Sequence, residues 1–124
     1  MIFLYEGITE KILAACFEVS KELGAGFLES VYQNAVIIAL QEKGLITKQE
    51  FPLDVSFRGQ IVGQFYADIM VEDKIILELK AVSTLTDVHK AQVINYLKAS
   101  GIEVGLLVNF GNPILEYRRF NNRL

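Results

Sequence analysis

The sequence predicts an α/β domain, a mixed β-sheet flanked by helices, and three observations predict it. Two stretches with helical spacing open the chain. After Gly44 the hydrophobic period changes to two. One further helical stretch then interrupts the run of strands. The 124 residues suit one domain spanning 1–124. At 52% hydrophobic and 22% charged residues, the chain has ample apolar material for a packed core.

Thr9 is placed to cap a first helix running to about Leu23, with Ile12, Cys16, Val19 and Leu23 as its apolar stripe. Gly24-Ala25-Gly26 breaks that helix, and Gly24 suits its C-terminal cap. A second helix is expected from Leu28 to Glu42, burying Val31, Ala35, Ile38 and Ala39, with Gly44 as its stop. Residues 49–58 alternate: Phe51, Leu53, Val55 and Phe57 stand against Asp54, Ser56 and Arg58, as in a half-buried strand. Arg58-Gly59-Gln60 reads as a turn, and 61–71 and 75–81 read as two strands around Glu72-Asp73-Lys74. Thr86 caps a third helix over 87–100, closed by Gly101. The nearly all-apolar run 103–109 suits a strand covered on both faces, and 114–120 suits an apolar edge strand after a turn at Gly111-Asn112-Pro113. The predicted order is α-α-β-β-β-α-β-β.

Charge and composition exclude some functions. A net charge of -3 argues against purely electrostatic nucleic-acid binding, but a bound cation would supply positive charge that the sequence does not show. The basic residues Arg118, Arg119 and Arg123 form either a solvated edge or a phosphate contact. No apolar run approaches the roughly 20 residues of a membrane helix. Met1-Ile2-Phe3-Leu4-Tyr5-Glu6 has neither basic leader nor cleavage site, and the single cysteine, Cys16, forms no internal disulfide. A cytoplasmic protein with no membrane partner is the resulting expectation. The apolar edge strand raises a further one, a homodimer.

The chemistry comes from strand parity. In 61–71 the odd positions are Ile61, Gly63, Phe65, Ala67, Ile69 and Val71; in the next strand they are Ile75, Leu77, Leu79 and Ala81. Side chains alternate faces along a strand, so both apolar odd sets should meet one core. A hairpin centred on Asp73 then sets Asp68 opposite Glu78, with Lys80 following on the same face. Like charges directly opposite destabilise a sheet by about 0.2–1 kcal/mol. A divalent cation removes that repulsion: Mg²⁺ is typically held by one or two carboxylates together with phosphate and water. The main-chain carbonyl of Leu79 could add a ligand, and Lys80 could orient water or balance transition-state charge. The same three residues also fit an ion-pair ladder on an exposed sheet face.

Glu29 lies in the first turn of the second helix, with Tyr32 one turn on. His89, Gln92 and Tyr96 share a face of the third helix. An N-terminal acid that suits the helix dipole and a solvated polar stripe account for these equally well. Cys16 reads as core. Gly24-Ala25-Gly26 follows a helix, so it is no dinucleotide fingerprint.

Asp68, Glu78-Leu79-Lys80, Gln92 and Tyr96 together resemble the PD-(D/E)XK nuclease superfamily. Gly26-Phe27-Leu28-Glu29-Ser30-Val31-Tyr32 resembles the signature of its GxxExxY branch, as do Asp87 to Lys98 and Leu106 to Gly111. The resemblance spans Thr9 to about Phe120. It implies a restriction-endonuclease-like αβββαβ core and a Mg²⁺- or Mn²⁺-dependent phosphodiesterase acting on nucleic acid. In it Asp68 and Glu78 would hold the metal and Lys80 would be the catalytic lysine. Glu29 would be an additional acid, and Gln92 and Tyr96 would line the site. Ser20 and Tyr66 stand where that branch often carries histidine and a basic residue, and Ala67 stands where the superfamily often has proline. The competing expectation is a catalytically silent nucleic-acid-binding or protein-interaction module on the same fold.

Overall fold

The computed structural model describes residues 5–122; residues 1–4 and Arg123 of the basic cluster lie outside that range. The elements are α1 (Glu6–Leu23), α2 (Glu29–Glu42), β1 (Thr47–Phe57), β2 (Gln60–Val71), β3 (Ile75–Lys80), α3 (Asp87–Ser100), β4 (Val104–Asn109) and β5 (Glu116–Asn121), in the predicted order. The five strands form one mixed sheet, β1-β2-β3-β4-β5. Only β3 and β4 pair in parallel, because α3 carries the chain back between them; the hairpin connections make the other pairs antiparallel.

One face of the sheet packs on α1 and α2. Ile69, Val71, Ile75, Leu77, Leu79, Val104, Leu106 and Val108 interleave there with Ile12, Cys16, Val19, Val36 and Leu40. Burial pushes the Cys16 thiol up to about 12, which suits a core residue and not a nucleophile. The other face meets α3 through Met70, Ile76, Tyr96 and Leu97. Gly105 permits that approach: a Cβ there would lie 2.8 Å from Val93 Cγ1. Among the described residues no helix is long and apolar enough to cross a membrane.

Four expectations need correction. Thr9 does not cap α1 but lies inside it; its hydroxyl donates back to the carbonyls of Tyr5 and Glu6, the alternative a threonine finds within a helical turn. The inner face of α2 is Tyr32, Gln33, Val36, Ala39 and Leu40, while Val31 and Ile38 are exposed. Apolar and polar residues are not cleanly segregated around this helix, so periodicity alone does not say which stripe turns inward. The last strand starts at Glu116 and carries Arg118 and Arg119, so the sheet edge is charged rather than apolar, which disfavours pairing with another strand.

The fourth correction bears on the site. The odd residues of β2 do not share one face. Phe65 rests against Tyr96, and Ala67 packs with Leu53, Met70 and Tyr96 on the α3 side; Ile69 and Val71 face α1 and α2. The alternation switches at Asp68. Opposite it, Glu50 has a φ of 51°, a left-handed conformation that is costly for a non-glycine residue and breaks the two-residue period.

Candidate active site

The β2–β3 ladder has the expected register, with Ile69 opposite Leu77, Met70 opposite Ile76 and Val71 opposite Ile75. Past Ile69 the strands part, and side chains take over the main-chain hydrogen bonds. The Leu79 N–H donates to Asp68 Oδ2 at 2.8 Å, and the Asp68 N–H donates to Glu78 Oε2 at 3.4 Å. The two carboxylates therefore meet in the wedge between the strands. The Lys80 carbonyl accepts from the Phe110 N–H of the chain leaving β4, so strand alternation turns the Leu79 carbonyl toward Asp68.

Glu78 is not on an exposed face. Only 3% of it is accessible, and its Oε1 is buried with no hydrogen-bond partner among the described residues. Burial, then a shared hydrogen bond and the charge of Asp68, push its carboxyl up to about 10, with Lys80 pulling the other way. This overturns the exposed ion-pair ladder: without a cation, the group keeps its proton. Burial likewise raises the Glu29 carboxyl; Lys80 opposes that shift, while Asp68 and Glu50 add to it. Glu29, Asp68, Glu78 and Lys80 thus share one electrostatic environment.

The segment before α2 sets Glu29 in place. Gly26 has a φ of 112°, where a side chain would be strained. The Tyr32 hydroxyl donates to the Gly24 carbonyl at 2.6 Å and accepts from the Phe27 N–H at 3.2 Å, while its ring stacks on Phe110 at 4.7 Å. Tyr32 is therefore a clamp on the turn that delivers Glu29. It is fully buried, whereas Glu29 is partly exposed toward the acids.

Two residues of this neighbourhood escaped the sequence reading. Gln33, one turn beyond Glu29, donates from Nε2 to Glu50 Oε1 at 3.1 Å and to the Asp68 carbonyl at 3.2 Å. Glu50 stands opposite Asp68 and raises the Glu29 carboxyl. The four-residue spacing of Glu29 and Gln33 was a signal for the first; the strained backbone that brings Glu50 there left no trace in the pattern. Asn109 entered the sequence reading only as part of the run Leu106 to Gly111, with no role of its own. Its side chain bonds both main-chain groups of Val82, at 2.9 and 2.8 Å, and so fixes the chain leaving Lys80.

From α3, Tyr96 lies within electrostatic reach of the acids, with Gln92 beside it. Burial, then Glu78 and Asp68, raise the Tyr96 hydroxyl, and Gln92 opposes the shift. His89 does not join them. Its Nδ1 accepts from the Thr86 N–H at 3.1 Å and its own N–H donates to Thr86 Oγ1, which closes a capping box.

Among the described residues no three His, Cys, Asp or Glu side chains converge into a ready metal cage. Two buried or half-buried carboxylates, one carrying an orphaned oxygen, beside a main-chain carbonyl are still a donor set of the kind Mg²⁺ and Mn²⁺ accept, since such ions retain waters and take substrate oxygens. The residues present fit a divalent cation.

The fold and this site define an α/β domain that carries an acid pair and a lysine where two central strands separate. The chain belongs to the PD-(D/E)XK nuclease superfamily, whose family model matches residues 6–120. Proteins of that superfamily generally use divalent metals and act on nucleic acid. Among solved structures, the one titled "Crystal structure of SSO0001" is similar, with a TM-score of 0.60 and 19% identity; the match covers 97% of this chain and 60% of that one. At this identity the likeness shows the fold alone. Curated proteins give no match.

Proposed function

We propose that this chain is a divalent-metal-dependent phosphodiesterase that hydrolyses nucleic acid, formed as one domain of the GxxExxY branch. The observation that carries the reading is Glu78: an acid buried beside Asp68, with one oxygen lacking a hydrogen-bond partner among the described residues. Burying such a group without a ligand costs stability, and cation binding offsets that cost. Asp68 and Glu78 would hold Mg²⁺ or Mn²⁺, with the Leu79 carbonyl beside them. When bound, the ion would act as a Lewis acid toward phosphate and would lower the pKa of water. Lys80 supplies a positive charge toward the scissile phosphate and the attacking water. Glu29, its carboxyl raised by burial, can accept the proton that water gives up. Gln92 and Tyr96 would line the site on the α3 side.

The test is incubation with a mixed panel of DNA and RNA, with and without Mn²⁺, for the wild type, Lys80→Ala and Glu78→Gln. Cleavage is expected only with Mn²⁺, with a fall of roughly 10²-fold or more in each variant. Full activity of Lys80→Ala would sink the assignment. The second reading is a catalytically silent nucleic-acid-binding or protein-interaction module, favoured over turnover by Tyr66 standing where the branch often has a basic residue. Calorimetry with Mn²⁺ separates the two: heat of binding that disappears in Glu78→Gln favours the enzyme, and no binding favours the silent module.

A further inference from the structure

A groove of about 800 Å³ runs between α3 and the β1–β2 hairpin, with Gln92 and Tyr96 in its wall. We infer that this groove seats an unpaired nucleobase next to the scissile phosphate, which makes single-stranded nucleic acid the substrate class. The inference rests on the proposed function for its choice of ligand.

The groove combines an aromatic platform with hydrogen-bonding groups. Phe65 is 46% exposed and leans on Tyr96 with the ring centroids 5.7 Å apart. It reaches this side only because the strand alternation switches at Asp68; on the expected parity it would face α1 and α2. Its exposure brings the fold no burial, whereas a flat base stacked on it would cover apolar surface. Ala91, with only a methyl group, keeps the helix side of the groove open. The amides of Gln92 and Asn95 offer donors and acceptors of the kind base edges require. Lys98 is the one basic residue of the lining and Asp54 is there too, so the groove has too little positive charge to track a backbone through many phosphates. Stacking therefore has to supply much of the binding. Bases in a duplex present edges and not open faces, so a paired strand cannot use the Phe65 ring.

Tyr96 ties the groove to the chemistry. It lines the groove and packs in the cluster that contains Ala67, the chain neighbour of Asp68, so a base stacked on Phe65 lies close to the acid pair.

The chain contains no tryptophan, so Phe65→Trp installs a single fluorescent reporter. The probe is a six-nucleotide thymidine oligomer in metal-free buffer, compared with an abasic oligomer of equal length and with a duplex. Saturable quenching by the thymidine oligomer is expected, with roughly tenfold or weaker apparent affinity for the abasic strand and the duplex. Adding Ala91→Leu, at an exposed helix position, should weaken the oligomer by about tenfold while circular dichroism stays unchanged. Equal quenching by the abasic strand, indifference to Ala91→Leu, or no response from a folded reporter overturns the inference. If Phe65→Trp does not fold, the ring protons of Phe65 and Tyr96 in the wild type provide the readout by NMR: selective shifts with thymidine support the inference, and unchanged shifts overturn it. Quenching without Mn²⁺-dependent cleavage keeps the base-binding groove, with single-stranded nucleic acid as a ligand rather than a substrate, and removes the enzyme reading. Cleavage without quenching does the opposite.

Discussion

The two faces of the sheet are made from the same strands and filled in different ways. Under α1 and α2, the side chains from β2, β3 and β4 are apolar and buried, and they form the larger core. Under α3 the apolar cluster is smaller, and the ends of β2 and β3 place Asp68, Glu78 and Lys80 beside it. Burial of the first kind is favourable in itself, while burial of an acid is not. The contrast teaches that one face supplies the stability that lets the other retain an acid with an orphaned oxygen.

The contrast breaks if a void under α1 and α2 proves harmless. Leu77→Ala, at a fully buried position of the larger core, should cost about 2–5 kcal/mol in urea unfolding and leave Mn²⁺ affinity of the folded protein unchanged. A loss of metal affinity at full foldedness would mean that the faces are not separable.

Glu78 sharpens the contrast through pH. Its folded pKa, about 10, lies above the ordinary 4.5, so the native state holds the proton more tightly than the unfolded chain. This contribution to stability is fully present below the unfolded value and is lost as pH rises toward the folded one. Thermal melts without metal should fall between about pH 5 and about pH 9, and Glu78→Gln should flatten that slope. Saturating Mn²⁺ should raise the high-pH melts of the wild type and leave the variant unmoved. A wild-type slope identical to that of Glu78→Gln would count against the buried acid.

The close approach of α3 gives a smaller effect. Gly105→Ala puts a methyl group 2.8 Å from Val93 Cγ1 and should cost about 1–3 kcal/mol as the helix shifts outward. The smallest is Tyr32→Phe. Losing the hydroxyl that joins Gly24 to Phe27 should cost about 1 kcal/mol and speed amide exchange in that turn. Unchanged exchange there would remove the clamp role.

Much of this was legible in advance because it is local. The change of hydrophobic period at Gly44, the Thr86 cap and the Gly101 stop of α3, and the all-apolar β4 each depend on residues a few positions apart. The register that brings Asp68 across from Glu78 was legible too, since a tight turn at 72–74 leaves one pairing that keeps Leu77 inside. The inward stripe of α2 was not, because its surroundings choose it: Tyr32 stacks on Phe110, and Gln33 reaches Glu50 and the Asp68 carbonyl.

By itself the sequence determined the element order and the hairpin register, because spacing and turn chemistry act over short distances. Tertiary structure alone decided that Glu78 is buried and that Phe65 turns toward α3. A left-handed residue at position 50 breaks the alternation there, and packing of α3 closes over the acid. Both depend on contacts between segments far apart in the chain, which no local pattern encodes.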